Sequence, residues 1–231
     1  FLIFLIQLKL LNTLETKTME ATEDLRTPDE EGRTPMYRAC VDDDLDRMKL
    51  LYDQGAQEDV RTPDSEGVTP MWIASKNNHV EAMEWLFHHG AKEDVRTSTI
   101  KGTTPMYIAS EKNNVKAMQW LFDHGAQDDV RTPINKGFTP MYVASENNNV
   151  EARQWLYDHG AQDDVRTPNT DGFTPMYAAS EKNNVKAMQW LFDHGAQDDV
   201  RTPNIDGFTP MLIASEKNNV KAMQWLFDHG A

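Results

Sequence analysis

Cysteine is nearly absent from this chain: its 231 residues contain one, Cys40. A single cysteine closes no internal disulfide, so the chain reads as belonging to a reducing compartment. At a helix position where later copies carry Ser75, Ser110 and Ser145, Cys40 is expected to be a buried, inert thiol. Cations are also short, with 23 Lys and Arg against 37 Asp and Glu, a formal charge of −14 and an isoelectric point near 4.8. Binding a nucleic-acid backbone requires clustered cations to neutralise phosphates. That balance argues against nucleic acid and favours a partner protein with a neutral or basic surface. Long apolar runs are missing too. The longest, FLIFLIQLKLL at 1–11, carries Gln7 and Lys9 and falls short of the roughly 20 residues that span a bilayer. It has neither the basic start nor the small-residue cleavage site of a signal peptide. Met19 opens MEATEDLRTP, so residues 1–18 are read as a leader outside the native protein; the competing reading is the tail of an anchor or upstream segment.

Catalytic signatures are also missing. No Gly-rich phosphate loop, Gly-x-Ser-x-Gly elbow, Cys-x-x-Cys pair or His-Glu-x-x-His motif occurs. The residues therefore predict no enzyme, no cofactor and no metal site.

What the chain does contain is repetition. The string TPMYIASEKNNVKAMQWLFDHGAQDDVRTP at 104–133 returns at 174–203 with one change, Ile108 to Ala178. Arg26, Arg61, Arg96, Arg131, Arg166 and Arg201 step by 35 residues, as do Thr34, Thr69, Thr104, Thr139, Thr174 and Thr209. A period of this length implies a solenoid, in which units stack because none can bury its apolar face alone. Thr104 is a natural helix N-cap and Pro105 suits the first helical turn. Met106, Ile108 and Ala109 supply the apolar side of that helix. Asn113-Asn114 breaks it, since Asn tolerates left-handed backbone. A second helix is predicted from Val115 to about Asp123, with Val115, Met118, Leu121 and Phe122 as its buried stripe, and Gly125 ends it. Asp128–Thr132 reads as one arm of a finger that turns at Pro133–Gly137.

The residues Gly102-x-Thr104-Pro105-Met106-Tyr107-Ile108-Ala109-Ser110, then Val115, then Trp120-Leu121-Phe122-x-x-Gly125-Ala126, resemble the ankyrin repeat. The resemblance covers roughly residues 24 to 231, six times over. It departs from the family pattern by Met for Leu, Tyr for His, Asn-Asn for Gly-His, and two extra residues per unit, placed where the family has its β-hairpin finger. The fold it implies is an all-α solenoid with β-hairpin fingers, an array of about six repeats. The expected organisation is a leader at 1–18, a half finger at 19–30, and repeats at 31–65, 66–100, 101–135, 136–170, 171–205 and 206–231. Repeat one is expected to act as an N-terminal cap, because Arg38 stands where Ile73, Ile108 and Val143 stand later. Repeat six is expected to be truncated, part of a longer array.

Several recurring groups look chemical and have simpler readings. His89, His124, His159, His194 and His229 recur once per unit, but stacked helices lie about 8–10 Å apart while zinc ligands converge to about 2 Å. They read as histidines facing the negative end of a helix dipole. Asp128-Asp129 and their copies read as exposed ion-pair partners of Arg131, Arg166 and Arg201, since adjacent residues on an extended segment point to opposite faces. Trp85, Trp120, Trp155, Trp190 and Trp225 read as packing between second helices.

Positions that vary between near-identical copies are the better functional candidates. The finger tips contribute Ile100, Lys101, Ile134, Asn135, Lys136, Asn169, Thr170, Asn204 and Ile205. Directly after the turn glycine come Val68, Thr103, Phe138, Phe173 and Phe208. The resemblance implies that tips, this position and the end of the first helix line a concave binding face. It implies a non-enzymatic protein–protein interaction scaffold in the cytoplasm. The alternatives are the targeting region of a larger enzyme whose catalytic domain lies outside this sequence, and a structural spacer. The phenylalanines could form an apolar strip or pack on Pro or Tyr of the next unit.

Overall fold

The computed structural model describes residues 25–231. The leader at 1–18 and the first part of the half finger lie outside the described residues. Six short helices, α1 (Pro35–Val41), α3 (Pro70–Asn77), α5 (Pro105–Glu111), α7 (Pro140–Glu146), α9 (Pro175–Glu181) and α11 (Pro210–Glu216), alternate with six others. These are α2 (Leu45–Asp53), α4 (Val80–His88), α6 (Val115–Asp123), α8 (Val150–Asp158), α10 (Val185–Asp193) and α12 (Val220–Asp228). The first helices stack on one another, and each packs against the second helix of its own unit. The result is a two-layered all-α solenoid.

Local chemistry explains why these stretches are helical. Thr104 Oγ1 accepts the N–H of Tyr107 at 3.1 Å, and the same cap opens every first helix. Such a cap contributes about 1 kcal/mol, and the following proline has no N–H to leave unpaired. Each first helix then hands over through a left-handed residue: Asn113 has φ of +60°, and Asp43, Asn78, Asn148, Asn183 and Asn218 match it.

The Asn-Asn pair does more than break a helix. Asn113 Oδ1 accepts the Ala152 N–H of the next unit at 2.9 Å, and Asn78 and Asn183 do the same toward Ala117 and Ala222. The second asparagine reaches backward. Asn114 Nδ2 donates to the Ser75 and Lys76 carbonyls at 3.1 and 2.7 Å, and Asn149 and Asn219 repeat this one and three units later. These bonds fix the spacing of helix pairs that are otherwise held by non-directional apolar contact.

The fingers differ from expectation. No strand is present among the described residues, and Asp128–Val130 forms a 3₁₀ turn, as do the corresponding stretches of the other units. Burial decides this: the turn carries Val130 into the core at 1% exposure and lets Thr132 donate to the Asp129 carboxylate at 3.1 Å. The tips are tight reverse turns bonded to one another, with the Ile100 N–H donating to the Glu66 carbonyl and the Thr170 N–H to the Lys136 carbonyl, both at 3.1 Å. This contact requires the turn glycines. A Cβ on Gly137 would lie 2.9 Å from the Thr170 nitrogen, and the backbone there has φ of +79°.

The core is a column of methionines and small residues. Met71, Met106, Met141 and Met176 from first helices and Met83, Met118 and Met188 from second helices are fully buried. Cys40 sits in this column with its thiol 3.8 Å from the Met48 sulfur, and burial pushes that thiol far above its ordinary value. Later units place serine there, donating to the carbonyl four residues back at 2.8 Å.

Candidate interaction groove

The side of the solenoid made by first helices and finger tips carries two adjoining depressions. The larger, about 570 Å³, lies across the third to fifth units. Its floor is aromatic, formed by Tyr107, Tyr142 and Tyr177 with Phe138 and Phe173 beside them. Glu111, Glu146, Glu181 and Lys182 from the helix ends also line it. The smaller, about 400 Å³, lies toward the N-terminus and is lined by Val68, Trp72, Ile100 and Ile108 with Lys76, Lys101 and Lys112.

The candidate residues fall into distinct groups. Phe138, Phe173 and Ile134 meet in the larger depression; Val68, Thr103, Ile100 and Lys101 meet in the smaller one. Ile100 and Ile205 are 71% and 72% exposed at the tips. Asn135, Lys136 and Thr170 are exposed beside them, and Thr170 also donates to the Lys136 carbonyl. Asn169 and Asn204 are buried instead. Their side-chain oxygens accept two turn N–H groups each, those of Asp171 and Phe173 for Asn169 and those of Asp206 and Phe208 for Asn204. The phenylalanines pack on tyrosines of their own unit: Phe138 lies 4.7 Å from the Tyr142 ring and Phe173 lies 4.5 Å from the Tyr177 ring. Phe208 is followed by Leu212 in place of tyrosine and is 38% exposed.

The tyrosines were not among the candidates, and they are unusual. Tyr107, Tyr142 and Tyr177 are 6%, 6% and 7% exposed. Burial, together with the carboxylates of Glu111, Glu146 and Glu181, raises their phenols above the ordinary value. Tyr37 of the first unit faces a carboxylate, Asp64, and its phenol is pushed up to about 12 by burial and by that charge. The position of Asp64 becomes Ile134 and Asn169 one unit after Tyr107 and Tyr142. Isoleucine has no acceptor, and the Asn169 oxygen is already taken. The sequence signal was the Asp-to-Ile change read against the tyrosine one unit earlier, a pairing that only stacking reveals.

The helix-end charges form a second ladder. Lys182 lies 3.3 Å from Glu146 and Lys217 lies 3.8 Å from Glu181, each crossing from one unit to the one before. The corresponding partner for Glu111 would be residue 147, which is asparagine. Glu111 pairs only with its own neighbour Lys112.

On the opposite side the recurring aromatic and charged residues pack on one another, while a depression of about 490 Å³ lies among Leu45, Val80, Trp85 and His89, and Leu50, Val220 and Phe227 are exposed on the second helices. Each C-terminal histidine stacks on the tryptophan four residues earlier, as His124 does on Trp120 at 4.0 Å, and its Nδ1–H donates to that tryptophan's carbonyl at 2.7 Å. A ring from the preceding unit completes the contact edge-on, Phe87 for His124 and Phe122 for His159. Trp155 Nε1 donates to Gln119 across the unit boundary at 3.0 Å. The Asp-Asp pairs are only half as exposed as expected. Arg96 bridges exposed Asp128 at 3.1 Å and Asp129, 1% exposed, at 3.2 Å in the following unit. Burial raises the Asp129 carboxyl, offset in part by the Arg96 guanidinium and the Thr132 hydroxyl. These are inter-unit clamps.

One further residue escaped the sequence reading. Arg153 stands where other units have Met48, Met83, Met118, Met188 and Met223. It is 1% exposed, and its Nε and Nη1 have no hydrogen-bond partner.

Comparison with known proteins adds a family. The family model for ankyrin repeats (3 copies) matches residues 6–97, 91–167 and 162–231. No curated protein matches the chain. Among the described residues no helix is long and apolar enough to cross a membrane.

Proposed function

The chain belongs to the ankyrin-repeat family, and from that premise we propose that it is a non-enzymatic scaffold that binds another protein through the groove. Ankyrin repeats are generally protein–protein interaction modules, so the open question is which face this array uses. The observation that carries the reading is the row of partly exposed phenylalanines, Phe138 and Phe173, beside a depression floored by Tyr107, Tyr142 and Tyr177. On the second-helix side the tryptophans, histidines, arginines and buried aspartates are committed to one another across unit boundaries. On the groove side, partly exposed Phe138 and Phe173 and the exposed tip Ile100 stand beside the two depressions. Exposed apolar residues around concavities are what interaction surfaces present. The partner-facing set is Val68, Thr103, Phe138, Phe173 and Phe208 with the varied tips at 100–101, 134–136, 169–170 and 204–205. Within it, Asn169 and Asn204 shape the turns that present Phe173 and Phe208. The acidic balance of the chain favours a partner with a neutral or basic surface, met in the cytoplasm.

The test is affinity capture with the chain and with a Phe138→Ser, Phe173→Ser, Phe208→Ser variant whose circular dichroism matches the parent. A partner held by the parent and lost by the variant, reproduced with both proteins purified, supports the assignment. A partner held equally by both overturns it.

A further inference from the structure

The groove is not uniform along its length, and the difference follows from two substitutions in the repeated pattern. In the fourth unit Asn147 stands where Lys112, Lys182 and Lys217 stand in others. The larger depression is therefore lined by three carboxylates, Glu111, Glu146 and Glu181, and one ammonium, Lys182. One unit after Tyr107, Ile134 stands where Asp64 follows Tyr37, so the carboxylate that acts on the phenol in the first unit is replaced by an apolar side chain in the third. The same depression is floored by Tyr107, Tyr142 and Tyr177, whose rings are largely buried. The smaller depression has the opposite character: Lys76, Lys101 and Lys112 outnumber Glu66 and Glu111 around Trp72 and Ile100.

We infer that the depression across Tyr107, Tyr142 and Tyr177 is a receptor for an arginine or lysine side chain from a basic segment of a partner protein. This rests on the scaffold reading above and names the chemistry of what that groove takes. Aromatic faces attract a cation within about 6 Å of the ring centre, more strongly when water is excluded. Carboxylates at the rim supply charge-assisted acceptors, and the phenol oxygens supply neutral ones. A chain of net charge −14 also speeds the approach of a basic segment. The substitution at 147 is central: a lysine there would reach toward Glu111 as Lys182 reaches toward Glu146, and its ammonium would occupy the place of the incoming cation.

Fluorescence anisotropy tests this with the full chain and a fluorescein-labelled peptide of alternating arginine and glycine, compared with the same peptide carrying citrulline in place of arginine. The arginine peptide is expected to bind at least about tenfold more tightly than its neutral counterpart at about 0.15 M salt. Asn147→Lys, which only restores the side chain of neighbouring units, is expected to weaken it about tenfold. Tyr142→Phe is expected to weaken it severalfold without lowering Tm. Asp53→Asn shifts the net charge by the same single unit, by removing a carboxylate at an exposed site on α2, and is expected to change nothing beyond twofold. Equal binding of the two peptides, or binding that Asn147→Lys leaves intact, overturns the assignment. So does an equal loss with Asp53→Asn, which would mark general attraction to an acidic protein. A partner that the three-phenylalanine variant loses, on a chain whose arginine peptide ignores Asn147→Lys, would leave the scaffold standing and remove this pocket from it.

Discussion

Replacing Arg153 by methionine is expected to stabilise the array. Five aligned units place methionine at this position, and Met83, Met118 and Met188 are fully buried there. Arg153 occupies the same site at 1% exposure, with Nε and Nη1 unpaired. Its one compensating contact is the Trp190 ring, 4.9 Å from the guanidinium carbon. Burial pushes the guanidinium well below its ordinary range, to about 10, and a displacement of that size corresponds to about 3 kcal/mol against the charged form. The cation–π contact returns about 1–2 kcal/mol, and methionine adds the packing its neighbours have. Arg153→Met is therefore expected to gain about 1–3 kcal/mol, or roughly 3–10 °C in Tm for a chain of this size. Urea denaturation followed by tryptophan fluorescence measures the first, and hydrogen exchange along α8 locates it. The converse, Met118→Arg, puts a guanidinium at the same buried position, where Trp155 stands as Trp190 does for Arg153, and is expected to cost about 1–3 kcal/mol. If Arg153→Met is no more stable than the parent, the guanidinium is satisfied in a way its geometry does not reveal, and the reasoning fails.

Three other outcomes follow from the same contacts. Asn113→Gly keeps the left-handed backbone but removes the acceptor for the Ala152 N–H, and should cost about 1 kcal/mol. Asn148→Gly should be neutral within about 0.5 kcal/mol, because Asn148 Oδ1 has no partner to lose; equal losses in urea titrations would refute the staple account. Asn114→Ala should cost about 1–2 kcal/mol through its two carbonyl contacts to the preceding unit, and a loss below about 0.3 kcal/mol would count against them. Burial raises the carboxyls of Asp94, Asp129 and Asp199, so the folded form holds their protons more tightly than the unfolded chain. Their contribution to stability is gained as pH falls through the raised values and lost as pH rises past them. Tm at pH 5 is therefore expected to be no lower than at pH 7, and a drop of more than about 5 °C in calorimetry would contradict this.

Much of the architecture was legible because each helix boundary is chemically local. Thr104, Pro105, Asn113 and Gly125 mark their turns through capping, a missing donor and left-handed backbone, and these act within a few residues. The finger was misread for the complementary reason. Asp128–Thr132 looks extended in isolation, yet Val130 needs the core and Asp129 needs Arg96 of the preceding unit, and both demands arise only on stacking. The groove was half legible. Phe138 and Phe173 stood out because they vary, whereas Tyr107, Tyr142 and Tyr177 looked like filler because they hardly vary.

By itself the sequence determined the unit, its helices and their order, since a 35-residue period with a cap, a break and an apolar stripe in each copy leaves stacking as the way to bury that stripe. Only the tertiary structure decided what each repeated polar residue is for. Arg96 and Asp129, Asn114 and Ser75, Lys182 and Glu146 are each more than 30 residues apart along the chain and meet because adjacent units sit face to face. Whether a tyrosine faces an aspartate, whether a carboxylate keeps its lysine and whether an arginine is buried alone all depend on what the neighbouring unit brings to the boundary.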